Sequence, residues 1–472
     1  MDRTALTSTV RALWDDEILP SLSDFVRIPA LSPSFAPDWA TTGQLDAAVD
    51  HVRAWITGRG LTGAQIEVVR LPERTPLLLV DVPATPGAEG VGTALLYGHL
   101  DKQPPVGGWS EGLDAWTPVI RDGRLYGRGA ADDGYAGYAA TAAIEALHAH
   151  GGAHGRCVVL LETGEESGSP DLPAYLAHLA DRLGRVSLVV CLDSGAADYD
   201  RMWLTTSLRG LVQATVTVTV LDYGQHSGLA SGVVPSSFRV LRQLLDRIED
   251  SGTGQVKLAD MHVEVPAHRL AEIRQTVDTA PGAVSAGIPL VDGLSLVDGD
   301  EVELVLNSTW RPTLSVIGAE GLPTPAEAGN VLRPFTRLCL SFRLPPTADS
   351  AAGLTALQEA LTKEVPYGAQ VELSRVENAD GWNAPELAPW LSQALDTASQ
   401  EVFGGPWRTL GLGGSIPFMG LLNQAYPEAQ FVVTGALGPG SNAHVPDESL
   451  VLDYATKITE AIALVLDAHA GS

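Results

Sequence analysis

Three short β-branched runs between residues 65 and 98 lead into an alternation of helical and strand-like stretches up to residue 192, and few folds accept that order. Residues 65–69, 77–82, 93–98, 156–161 and 186–192 read as strands, while the Ala-rich stretch 134–151 and residues 170–183 carry helical apolar spacing. The pattern points to an α/β fold with a central, mostly parallel sheet flanked by helices. In such a layer the functional groups collect at the carboxyl ends of the strands. Upstream, residues 5–28 and 39–59 are helical by the same spacing.

The texture changes at Ser207-Leu208-Arg209-Gly210, after which residues 211–220 alternate Val and Thr like a half-exposed antiparallel strand. A helix at 235–248, a Pro/Gly-broken middle at 280–325, a strand at 337–344, a helix at 350–365 and a strand at 370–375 follow. Past Gly381-Trp382-Asn383 the α/β texture resumes with helical 387–403, a strand at 430–434 and a last helix from 450 to about 469. One domain is therefore expected from residues 1–207 and 385–472, interrupted by an inserted α+β domain at 208–384.

Charge and cysteine usage exclude several classes of partner. Lys plus Arg number 30 against 57 Asp plus Glu, a formal charge of −27, which repels nucleic acid and anionic membranes. Cys157, Cys191 and Cys339 sit in apolar runs and are odd in number, which suits buried thiols in a reducing compartment. Acids occupy the N-terminal stretch where a signal peptide needs an apolar segment, and no apolar run reaches the ~20 residues of a membrane span. A cytoplasmic protein is the expectation.

Polar groups cluster where strands end. The run from Cys157 to Leu161 leads into Thr163-Gly164-Glu165-Glu166-Ser167-Gly168, an acidic turn. Adjacent side chains of an extended backbone point opposite ways, so one carboxylate can hold a cation while the other faces a substrate; an exposed acidic turn is the commoner meaning of such a pair. Residues 93–97 end in Gly98-His99-Leu100-Asp101, where Asp101 either takes the second ring N–H of His99 or faces solvent. Asp132-Asp133 lies between glycines at a helix start, where Asp also serves as an N-cap. Asp193 follows the run 186–192, and His444 stands alone in a loop before the last helix. Two histidines and several carboxylates form an N/O ligand set for two divalent ions such as Zn²⁺ or Mn²⁺.

In their order, His99-x-Asp101, Asp132-Asp133-Gly134, Glu165-Glu166, Asp193 and His444 resemble the M20 family of metallopeptidases, dizinc exopeptidases that include carnosinase-like dipeptidases and amino-acid deacylases. The resemblance spans nearly the whole chain. It implies that His99 and Asp193 bind one metal and Glu166 and His444 the other, with Asp132 bridging and the Asp132–Asp133 peptide bond cis. Glu165 becomes the general base on water held between two cations, with Asp101 and His226 completing the catalytic set. The insertion becomes a lid through which the chain forms a homodimer. There Gly224-Gln225-His226-Ser227-Gly228 matches the motif whose histidine reaches the partner's site and stabilises the oxyanion. Asn330 and Arg343 match substrate-binding positions of the dipeptidase branch, and Ser415 in Gly413-Gly414-Ser415-Ile416-Pro417 matches a third; a guanidinium there pairs with the substrate carboxylate. Ser194-Gly195 and Val445-Pro446-Asp447 depart from the carnosinase-like pattern at the amine end of the substrate.

The function implied is hydrolysis of a dipeptide or a dipeptide-like amide with a free carboxylate. Two readings compete: an N-acyl amino-acid deacylase of the same family, and a metal-binding scaffold without turnover. The intact Glu165 and ligand candidates weigh against the scaffold. His148, His150 and His154 read as residues at a helix end, where the dipole favours them. The Gly411 to Gly414 run lacks the G-x-G-x-x-G spacing of a phosphate loop and a preceding βαβ unit.

Overall fold

The computed structural model describes residues 2–472 except 286, 287, 298, 415 and 416, and leaves out the side chain of Pro417. Its central sheet has six strands in the order Gln65–Val69, Leu77–Val82, Arg156–Glu162, Thr93–His99, Val186–Cys191, Gln430–Val433. The last four run parallel. The first two pair antiparallel, because the short link 70–76 allows a hairpin but not the crossover that a parallel pair needs.

Period-two alternation splits each strand between two cores. Leu78, Val80, Val82, Val159 and Leu161 enter one cluster, packed under the helices Arg3–Leu13, Tyr135–Ala149 and Leu452–Ala470. Leu77, Leu79, Val158 and Leu160 enter a second, with Leu172, Leu176 and Leu179 of the helix Leu172–Leu183. Helices thus cover both faces, which is why these runs are apolar without interruption. At Gly98 the helix Tyr135–Ala149 comes so close that a Cβ would lie 2.8 Å from Ala136 Cβ and 2.8 Å from Asp133 Oδ2. Lys102, just past the strand end, is buried and donates to the carbonyls of Phe25 (2.7 Å) and Ile28 (2.8 Å) at the end of the helix Leu19–Val26.

Between residues 210 and 379 a four-stranded antiparallel sheet forms, in the order Thr313–Glu320, Phe335–Leu344, Gly210–Thr219, Gln370–Ala379. Val212, Val216, Leu340 and Phe342 bury against Val240, Leu244, Leu357 and Leu361 of the helices Ser237–Ile248 and Ser350–Thr362. The stretch expected to be broken contains a helix, Glu301–Thr309, and the strand Thr313–Glu320. Asp300 caps the helix by accepting from Glu303 N at 3.0 Å, and the strand exists through its pairing with Phe335–Leu344, which no local pattern announces.

Two helices of this middle region, Ala267–Thr279 and Glu301–Thr309, lie beside the strand Arg408–Leu412 of a three-stranded sheet with Trp203–Leu208 and Trp382–Asn383. No helix among the described residues is long and apolar enough to cross a membrane.

Candidate metal centre

The carboxyl ends of the parallel strands converge on one cluster, buried except on the side of His444, whose side chain is 53% exposed. His99 is the last residue of its strand, Glu165 and Glu166 sit in the turn Glu165–Ser167 after Arg156–Glu162, and Asp193 follows Val186–Cys191. Asp132 occupies the turn that opens the helix Tyr135–Ala149, and its peptide bond to Asp133 is cis. The loop after Gln430–Val433 brings in His444.

Asp132 stands between the two imidazoles. Its Oδ1 lies 3.2 Å from His99 Nε2 and its Oδ2 2.9 Å from His444 Nε2. His444 Nε2 is also 3.3 Å from Glu166 Oε2, and His99 Nε2 is 3.9 Å from both Glu165 Oε2 and Asp193 Oδ2. Two overlapping sets of ligand atoms result, each within 4.8 Å: His99, Asp132 and Glu166, and His99, Glu165 and Asp193.

Asp101 is buried rather than turned to solvent. Its carbonyl accepts His99 Nδ1–H at 3.0 Å, and its carboxylate accepts the backbone N–H of Glu165 (3.1 Å) and Glu166 (3.0 Å). One residue therefore fixes both, the imidazole's tautomer through its carbonyl and the acidic turn through its carboxylate. With Nδ1 donating, a neutral His99 aims the lone pair of Nε2 at three carboxylates, an arrangement that needs either a proton or a cation.

Charge in the cluster leads to the same requirement. Burial, and then the charge of Asp132, push the Asp193 carboxyl up to about 7. Burial also holds Glu165 well above the usual carboxylate range, helped by Asp193 and Glu166 against the opposing effect of His99. Hydrogen bonds to Asp132 and Glu166 raise His444 to about 11. Asp132, despite its burial, is held below its usual range by the two imidazoles and stays ionised, while Glu165, Glu166 and Asp193 favour keeping protons that divalent cations can replace. Glu166 Oε1 is buried without a hydrogen-bond partner, whereas its Oε2 accepts from Gln103 Nε2 at 2.6 Å. The donor set and this orphaned oxygen fit a pair of divalent ions.

Glu448 is the residue that sequence reasoning missed. It is buried, its Oε1 accepts from the N–H groups of Gly129 (3.0 Å), Ala131 (3.2 Å) and Asp132 (3.2 Å), and its Oε2 pairs with Arg128 Nη1 at 2.6 Å. Arg128 Nη2 donates onward to Val445 O at 3.1 Å, tying the Asp132 turn to the loop of His444. Its only sequence signal was its place four residues after His444.

His226, Asn330 and Arg343 lie between residues 210 and 379, the first two at a separate two-stranded ladder and Arg343 on the four-stranded sheet. His226 and Asn330 are exposed neighbours: His226 pairs with Val331 across a two-stranded ladder, and Ser227 N donates to Asn330 O at 2.9 Å. Arg343 is half-buried opposite Thr313, whose hydroxyl accepts from Arg209 Nη1 at 3.0 Å. Ser415 lies outside the described residues. His148 and His154 bond to each other at the helix end, with their ring nitrogens 2.5 Å apart.

The profile of peptidase family M20/M25/M40 matches residues 95–468. The chain belongs to that family. It is an M20-type metallopeptidase, a hydrolase, and the matched span contains every residue of the cluster. Among relatives, the cysteinylglycine-S-conjugate dipeptidase of Corynebacterium striatum is 28% identical over 445 residues, covering 92% of this chain and 91% of that protein. The human Beta-Ala-His dipeptidase is 29% identical over 456 residues, covering 91% and 86%. The solved structure of the di-peptidase Dug1p from Saccharomyces cerevisiae superposes with a TM-score of 0.76 at 22% identity, covering 100% of this chain and 99% of that one, which speaks for the fold. In this M20 chain the mixed sheet with its inserted domain is the family's architecture.

Proposed function

We propose that the chain hydrolyses the amide bond of a dipeptide, or of a dipeptide-like amide with a free carboxylate, at a centre holding two divalent ions, with Zn²⁺ or Mn²⁺ suiting the donors. The observation that carries this reading is the position of Asp132, with one carboxylate oxygen facing His99 and the other facing His444 and Glu165 beside the first imidazole. His99 and Asp193 would hold one ion, Glu166 and His444 the other, and Asp132 both.

Ions bound there would supply Lewis-acid polarisation of the scissile carbonyl and acidify an attacking water. The chain's own residues do the rest. Glu165, desolvated and held by its backbone N–H on Asp101, accepts the proton of that water and passes it to the leaving amine. Asp101 keeps the imidazole of His99 and the acidic turn in place while that proton moves. Arg343 and Ser415 would pair with the substrate carboxylate, and His226 and Asn330 would act on a neighbouring subunit's substrate. Exposed Tyr223, Leu229 and Val233 around His226 support a homodimer formed through the inserted unit, residues 208–384, with 1–207 and 385–472 as the catalytic unit.

The test is turnover by the Zn²⁺- or Mn²⁺-loaded protein of an L,L-dipeptide and of its N-acetylated and C-amidated forms. Hydrolysis of the free dipeptide that is lost on amidation is expected. Preference for the N-acetylated form would move the reading to a deacylase, and no turnover of any of them would end it.

A further inference from the structure

A cavity of about 390 Å³ lies against the loops that carry two of the candidate ligands. Gly195, two residues after Asp193, and Asn442, two residues before His444, form one side of it. The helices Ala267–Thr279 and Glu301–Thr309 form another through Ile273 and Val305, and Leu410 and Leu412 of the strand Arg408–Leu412 line it as well. Its size falls in the range of about 300 to 1,000 Å³ typical of small-molecule sites.

The Arg269–Glu272 pair and the hydroxyls of Thr276, Ser308 and Thr309 in these walls are committed to the protein itself. Arg269 donates to Asn383 Oδ1 (2.9 Å), Glu272 Oε2 (2.8 Å) and Ala384 O (2.7 Å), so the charged pair is closed on itself. The Thr276 hydroxyl donates to Thr409 O at 2.7 Å, and those of Ser308 and Thr309 donate to Val305 O at 3.0 and 2.6 Å. Beside Ser207 and Asn442, what the space offers a ligand is the apolar surface of Ile273, Val305, Trp310, Leu410 and Leu412. Gly195 helps to keep that space open: a Cβ there would lie 3.2 Å from Leu412 Cδ2 and 3.6 Å from Leu410 Cδ2, so a larger side chain would grow toward the same two leucines.

We propose that this cavity receives an apolar side chain of the substrate, on a residue flanking the scissile bond, so that the enzyme prefers dipeptides carrying a bulky aliphatic or aromatic residue. The proposal rests on the hydrolase reading above. Its energetic source is burial of the side chain against apolar walls, where each methylene gained or lost changes discrimination by about 10- to 200-fold.

Specificity constants of the metal-loaded protein for X-Gly and Gly-X, with X as Ala, Leu or Phe, test it. Leu or Phe is expected to exceed Ala by at least about 10-fold in one of the two series, which also identifies the residue that occupies the cavity. Val305→Trp, on the wall away from the ligand loops, should lower the Leu and Phe values at least about 10-fold more than the Ala value, while Ile273→Ala should shift preference from Leu toward Phe. Metal content per subunit is measured on each variant. Turnover without side-chain preference in either series, or a preference that both variants leave intact, overturns the pocket and leaves the hydrolase reading standing. No turnover of any dipeptide overturns that reading, and the pocket with it.

Discussion

The metal cluster and the inserted unit place polar residues in opposite ways. In the cluster His99, Asp132 and Asp193 are 0%, 4% and 7% exposed and held by strand ends or a tight turn, and only His444 reaches the surface. At the two-stranded ladder of the insertion His226 and Asn330 are exposed, and His226 accepts from Gly228 N within its own turn at 3.1 Å. The first arrangement fixes geometry before any ligand arrives, and its cost is carboxyl groups held far from their ordinary pKa values. The second leaves its histidine available to whatever the surface meets. Preorganised chemistry therefore belongs to the sheet ends, and adaptable contacts belong to the insertion.

The comparison breaks most sharply at Glu165. Glu165→Gln keeps the shape and removes the proton acceptor, so kcat should fall by about 10²- to 10⁴-fold with metal content unchanged. Elemental analysis beside steady-state rates checks this; activity that survives the change would show that the buried cluster does not use Glu165 as its base. Next comes Glu448, which supports the cluster without belonging to it. Glu448→Ala leaves Arg128 buried without its partner and three backbone N–H groups without an acceptor, so unfolding stability should drop by roughly 3 to 5 kcal/mol, read from urea titrations. Metal affinity should weaken about 10- to 100-fold in the same variant, as it does when residues behind metal ligands are removed.

The contrast also explains what could be read from the sequence. Candidate ligands at strand ends were legible because an apolar run leads into each: Thr93 to Tyr97 before His99, Cys157 to Leu161 before Glu166, and Val186 to Leu192 before Asp193; Asp132 and His444, in turns, were placed by the resemblance. Glu448 was not, because its partners lie near residue 129, more than 300 positions away, and nothing local separates a buried carboxylate from an exposed one in Pro446-Asp447-Glu448. The helix Glu301–Thr309 and the strand Thr313–Glu320 were missed for a related reason: the helix packs against Ala267–Thr279, the strand is held by its ladder with Phe335–Leu344 although Val316 and Ile317 are exposed, and the glycines and prolines around them read locally as breaks. The antiparallel edge followed from link length, a feature the run pattern alone did not weigh.

A smaller effect tests whether burial alone shifts carboxyl groups on this side of the molecule. Glu162 ends its strand outside the cluster and accepts from Tyr97 OH (2.5 Å) and Ser169 Oγ (2.8 Å); burial raises its pKa from 4.5 to about 7. Below pH 4.5 the group is protonated in both folded and unfolded chains. Between 4.5 and 7 the folded protein keeps a proton that the unfolded chain has released, so stability falls as pH rises and levels off above 7, by roughly 3 kcal/mol at most. Glu162→Gln removes this loss, so its stability relative to the wild type should rise between pH 5 and pH 8 in chemical unfolding experiments. A flat difference would mean that the two hydroxyls hold the carboxylate charged despite its burial.

The smallest expected change in folding stability is on the inserted unit, and it sharpens the contrast from the other side. Leu229 is 80% exposed three residues from His226, so Leu229→Asp should alter unfolding stability by no more than about 0.5 kcal/mol in the isolated subunit, as exposed substitutions generally do. If this face joins two copies of the chain, a buried aspartate without a partner would separate them, and sedimentation should shift from dimer to monomer. Activity should then fall with the dimer although every residue of the cluster around Asp132 is untouched. A variant that is monomeric and fully active would show that the strand ends suffice and that His226 takes no part in turnover.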